Sequence, residues 1–162
     1  MNYLVSMRKY NYYRNKGVYF FSFLYGYRFR VLGRRLGFSI NYDSLGYGVS
    51  IPHYGTIVVG ANDIGNYAVL HTSTCISGNG KVIGNALYLS AGAKITSKLV
   101  LGDNVSVAAN SVVNKSFEDG NCLLVGSPAQ IKKNDMPWYI RDGQYYRNLV
   151  EACESLKYKM IH

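Results

Sequence analysis

The sequence predicts an all-β core, a slim parallel β-helix of six-residue repeats, with a helical arm before it and a short helix after it. Three observations carry this reading. Aliphatic residues recur every six positions through the middle of the chain. Seventeen glycines stand beside only three prolines, which suits many tight turns and shows no collagen-like period. Positive charge is concentrated at the start. At 162 residues and 18.1 kDa, with 48% hydrophobic and 17% charged residues, the chain suits one core with tails. That composition excludes wholesale disorder and a two-domain enzyme with a separate nucleotide-binding half.

The arm occupies residues 1–42. Arg8, Lys9, Arg14, Lys16, Arg28, Arg30, Arg34 and Arg35 all precede the first acid, Asp43, so most of the net charge of +9 belongs here. Tyr19, Phe20, Phe23, Leu24 and Tyr27 recur at helical spacing and predict a helix packed on the body, with the arginines solvated. The same basic, aromatic composition also suits peripheral contact with an anionic membrane. An apolar run at residues 17–27 is about half the length of a bilayer span, and no small-residue cleavage site follows it. Neither a span nor a secretory signal is therefore expected. Nucleic acid is the weaker partner, because no recognition-module motif accompanies the interleaved rings and cations. Cys75, Cys122 and Cys153 have neither disulfide nor zinc spacing, which fits a reducing, cytoplasmic compartment, at most peripheral to the inner face of the cell membrane.

Residues 43–133 carry the repeat. Aliphatic anchors fall at Leu45, Ile51 and Ile57, then after one extra residue at Ile64, Leu70 and Ile76. A second extra residue precedes Ile83, Leu89, Ile95, Leu101, Val107 and Val113. Asn62 and Lys81 stand beside the two slips. A period of six is neither helical nor that of a hairpin meander. It fits short strands that turn a corner after each anchor, three to a coil, so that stacked coils bond to one another and the anchors fill the interior. Twelve anchors make four coils. So thin a prism exposes much flat surface and favours lateral association. Residues 134–162 form the tail, read as a helix after Pro137 with Tyr146, Leu149, Val150 and Cys153 on one face.

The segments GYGVSIPHYGTIVV (residues 46–59), IGNYAVLHTSTCISG (64–78), LGDNVSVAANSVV (101–113) and VGSPAQIKK (125–133) resemble the hexapeptide-repeat acyltransferases, in particular serine acetyltransferases and related polysaccharide O-acetyltransferases. The resemblance implies a left-handed β-helix, a homotrimer, and acetyl-CoA as co-substrate held between adjacent prisms. It makes His53 the general base. Two features depart from serine acetyltransferases. Phe38 stands where those enzymes carry the aspartate that orients the histidine, and their second histidine and arginine, which hold the amino acid's carboxylate, would fall in residues 77–82, where only Lys81 is charged. A short basic arm also stands in place of the long helical domain that precedes their coils. The expected acceptor is therefore a hydroxyl of a saccharide or glycan precursor. Serine O-acetylation and a non-catalytic scaffold are the alternatives.

Acetyl transfer to an alcohol requires a base for the hydroxyl proton and a groove that presents the thioester in line. A neutral imidazole suits the first task. His71 lies one coil from His53 and shares its candidacy. Ala91, Gly92 and Ala109 are small enough to admit a pantetheine arm, and Lys132 and Lys133 are candidate partners for the nucleotide's phosphates. No metal is expected, since the only third histidine is the terminal His162.

Overall fold

The computed structural model describes residues 2–61, 63–78 and 80–161. Asn62, beside the first expected slip, and His162 lie outside the described residues. Helices α1 (Asn2–Asn15) and α2 (Tyr19–Leu36) form an antiparallel hairpin. Tyr3 meets Phe29 with ring centroids 5.0 Å apart, and Tyr13 stacks on Tyr25 at 5.6 Å. Gly26 and Gly33 are the close-approach points of α2: a methyl group on Gly26 would come within 2.9 Å of the Tyr10 ring. Tyr3 and Met7 then carry the hairpin into the core of the coils, and the Arg8 guanidinium donates to the carbonyls of Leu45 and Gly46.

Beyond Gly37 the chain winds into a three-sided parallel β-helix. The first face stacks Phe38–Ile40, Ile57–Val59, Thr74–Ile76, Lys94–Ile95 and Val112–Val113. On the second lie Asp63–Ile64, Lys81–Ile83 and Leu99–Leu101, extended by bridges at Leu45 and Phe117. The third holds Val69–Leu70, Tyr88–Leu89, Val105–Val107 and Cys122–Gly126, then closes with the antiparallel return strand Ala129–Asn134. The coils number about five rather than the four that twelve anchors make. Phe38–Ile40 before the anchors, and Phe117 with Cys122–Gly126 after them, continue the same faces.

Eleven of the twelve expected anchors are buried, and Ile51 is half-buried. Many corners use a residue with positive φ three places before the next anchor: Gly48, Tyr67, Ser73, Ala86, Asn104 and Asn110 all take it. That regular left-handed residue, with glycine after the anchor, turns a six-residue period into a triangular coil. Gly65 shows why glycine is required there, since a methyl group would lie 2.6 Å from the carbonyl of Gly84 in the next coil.

One register differs from the sequence reading. Val59, not Ile57, stacks between Ile40 and Ile76, while Ile57 pairs with Thr74. Because Ser50 pairs with Val69, the corner between them holds two residues more than the corner above it. The first irregularity is thus a lengthened corner around His53, compensated by a shorter passage from Val59 to Ile64.

The tail folds back over the third face as α3 (Trp138–Arg141) and α4 (Gln144–Ile161). Trp138 packs on Val69 and Ala86, and its indole N–H donates to the Tyr67 carbonyl at 2.8 Å. Glu154 of α4 accepts from the hydroxyls of Tyr47 and Tyr67 at 2.8 and 2.6 Å. Among the described residues, no helix is long and apolar enough to cross a membrane.

Candidate active site

The corner between the third and first faces gathers most of the chemistry. Reading up the stack, it carries Pro52 and His53, then His71 and Thr72, then Ala91 and Gly92, then Ala109 and Asn110. Backbone bonds fix this stacking, with Gly92 N–H donating to the Thr72 carbonyl and Asn110 N–H to that of Ala91, each at 3.1 Å. Successive coils lie about 4.8 Å apart, so the small residues begin one strand spacing above His71. Gly92 also has a structural reason to be glycine: its φ is +74°, and a methyl group would strike the Asn110 amide.

His53 is exposed on the lengthened corner and lines a cleft of about 220 Å³ with Tyr3, Leu4, Leu36, Phe38, Ile51 and Tyr54. The arm thus supplies one wall and the first coil the other. Phe38 forms part of the cleft wall and packs edge-on against Tyr3 at 5.1 Å.

His71 is held quite differently. Its ring centroid lies 6.3 Å from that of His53, and its Nε2 is 3.0 Å from the Tyr88 hydroxyl. Burial lowers the His71 pKa below the usual histidine value, and the neighbouring His53 lowers it further, against a smaller opposing pull from Asp142. Burial raises the Tyr88 phenol, so Tyr88 remains protonated and the two rings share one proton in either imidazole tautomer. Arg141 of α3 lies over the Tyr88 ring, its guanidinium carbon 4.8 Å from the centroid. It donates to Ser106 Oγ at 3.1 Å and pairs with Asp135 at 3.0 Å and Asp142 at 2.8 Å.

Sequence reasoning missed Tyr88, Arg141 and Asp142. Tyr88 could have been found, because adding one coil to His71 falls within two residues of it; Arg141 returns from the tail and leaves no such signal. Among the described residues, no cluster of three metal-ligating side chains exists.

No protein-family model matches the chain. A serine acetyltransferase of Synechococcus elongatus is 32% identical over 95 residues, which are 54% of this chain and 38% of that protein. One from Helicobacter pylori is 30% identical over 99 residues, 56% of this chain and 57% of that protein. The chain spans about half the length, or less, of these curated relatives. The crystal structure of serine acetyltransferase from Brucella abortus in complex with coenzyme A aligns with a TM-score of 0.59 at 21% identity, covering 82% of this chain and 55% of that one. Over its repeat, the chain is similar in sequence to part of these serine acetyltransferases.

The structure places His53, His71, Ala91, Gly92 and Ala109 along one edge. Lys132 and Lys133 lie elsewhere. Both are exposed on the return strand, with Lys133 opposite Leu123, about 10 Å of chain from the corner at Gly126. Lys81, the one charge in residues 77–82, is buried on the second face with its ammonium donating to the carbonyls of Ser77 and Gly78.

Proposed function

We propose that the protein is an acetyl-CoA-dependent O-acetyltransferase, acting as a homotrimer, with His53 as general base and a saccharide or glycan hydroxyl as acceptor. One observation carries the reading: an exposed histidine in a cleft stands at the foot of an edge whose next coils are lined by Ala91, Gly92 and Ala109. The likeness to serine acetyltransferases supports the reaction class. A donor laid along that edge would bring its thioester down to His53, and the alcohol would enter through the cleft. His53 then takes the hydroxyl proton while the oxygen attacks the thioester carbonyl, and returns it to the thiolate as the carbon–sulfur bond breaks.

The walls of the cleft favour a sugar. An amino-acid acceptor brings a carboxylate, and a buried carboxylate requires a cation beside it. Among the described lining residues of the His53 cleft there is none. Arg141 is already paired with two aspartates, and Lys81 is turned to backbone carbonyls on another face. Phe38 and Tyr54 instead offer ring surfaces for the C–H face of a pyranose. Serine remains the second reading because both relatives above are serine acetyltransferases.

Thiol release from acetyl-CoA, measured with free serine and with a panel of saccharides, tests this directly. Turnover with a saccharide and none with serine is expected. Faster turnover of serine would overturn the acceptor, and failure to bind acetyl-CoA would leave a scaffold. Light scattering is expected to report a trimer at micromolar concentration; a monomer would contradict the shared groove.

A further inference from the structure

The arm's outer surface has no role in the site described above. Tyr19, Phe20, Phe23, Leu24 and Tyr27 form a continuous stripe along the first half of α2, with Phe23, Leu24 and Tyr27 at i+3, i+4 and i+7 from Phe20. The structure turns this stripe outward. Tyr19 is 86% exposed, Phe23 78% and Phe20 73%, while Phe29, Gly26 and Gly33 take the inner side against α1. A stripe expected from its spacing to pack on the body is thus left bare, because α1 already fills the only side where glycines permit close approach.

Cations continue the same helix. Arg28, Arg30, Arg34 and Arg35 are exposed, and among the described residues none of them forms an ion pair. Arg30 borders a shallow groove of about 370 Å³ walled by Tyr19, Phe23 and Tyr27. The apolar stripe runs about 12 Å along the axis, enough to sink one helix face into a headgroup layer and too short to span it.

We infer that the outer face of α2 docks on an anionic lipid surface, with the aromatic rings entering the interface and the four arginines meeting lipid phosphates. Charge selects this occupant. A second copy of the same face would set two arms of like sign against each other, since no acid precedes Asp43, whereas an anionic bilayer complements both the rings and the charge. The inference is independent of the acetyl-transfer reading and rests on the surface alone.

Co-sedimentation of the full chain tests it, using vesicles of phosphatidylcholine alone and of phosphatidylcholine mixed with phosphatidylglycerol. Binding is expected only to the mixed vesicles, weakening about tenfold or more as salt is raised. A similar loss is expected for Phe20→Ser with Phe23→Ser, and for Arg30→Gln with Arg34→Gln. All these side chains are exposed, so circular dichroism and the melting temperature should be unchanged. A wild-type chain that ignores mixed vesicles in low salt overturns the proposal, as does binding indifferent to the aromatic pair. It is equally overturned if the vesicles are ignored while a single-stranded oligonucleotide binds, or if Phe20→Ser with Phe23→Ser only dissolves a larger assembly of this chain.

Discussion

His53 stands on a corner two residues longer than the one above it, exposed at the mouth of a cleft whose far wall is Phe38. His71 stands one coil on, at a tight corner, half-buried and bonded to Tyr88. The same side chain is free to meet a substrate in one place and fixed in the other. A general base must reach the proton it removes, which the long corner permits. A fixed neighbour serves best by staying neutral, because a second imidazolium 6.3 Å away would oppose the charge that His53 acquires. Burial keeps His71 in that state. Under the proposed reaction, this contrast favours His53 for proton transfer and His71 for support.

Replacing His53 with alanine is the sharpest way to break this contrast. Turnover should fall about a hundredfold or more, the range that general bases supply. Thermal stability should hold, since the side chain is exposed. Retention of more than about a tenth of the activity would move the role to His71 or to neither histidine. Next in size is Ala109→Trp, which fills the small-residue edge at an exposed position. It should raise KM for acetyl-CoA about tenfold with little change in melting temperature, and an unchanged KM would move the donor elsewhere.

Tyr88→Phe removes the partner of His71 and leaves His53 untouched. Initial rates should drop only about three- to tenfold; a loss equal to that of His53→Ala would reverse the two assignments. The smallest effect concerns pH and stability. The unfolded chain protonates His71 near its ordinary value of about 6.5, whereas the folded chain holds it lower. Between those two values the unfolded state binds more protons, so stability falls as pH drops through that window. Urea unfolding of wild type should therefore lose more stability between about pH 7 and about pH 5 than His71→Gln does. Identical slopes would show that His71 is not held neutral.

Much of this architecture is legible in the sequence because the coil repeats one rule. An aliphatic anchor fills the prism, glycine follows where the next coil presses close, and a left-handed residue turns the corner, so Leu70, Leu89 and Val107 could be placed without coordinates. The lengthened corner was harder to read. Ile57 and Val59 are both aliphatic and both buried, so spacing alone could not show that Val59 keeps the stack. The same limit applies to α2, where periodicity identifies a stripe without saying which side is covered; Gly26 and Gly33 were the signal. Arg141 stayed hidden because its place over Tyr88 depends on a tail that folds back across the third face. Phe38 was visible as a departure, but its role as the wall of the His53 cleft required the arm.

A crystal structure of the protein with coenzyme A tests the central claim most directly. The pantetheine should run along the edge past Ala109, Gly92 and Ala91, with the sulfur within about 4 Å of the His53 ring, close enough for attack and proton return. A sulfur seated at another edge of the prism, or against His71 with His53 out of reach, would contradict it.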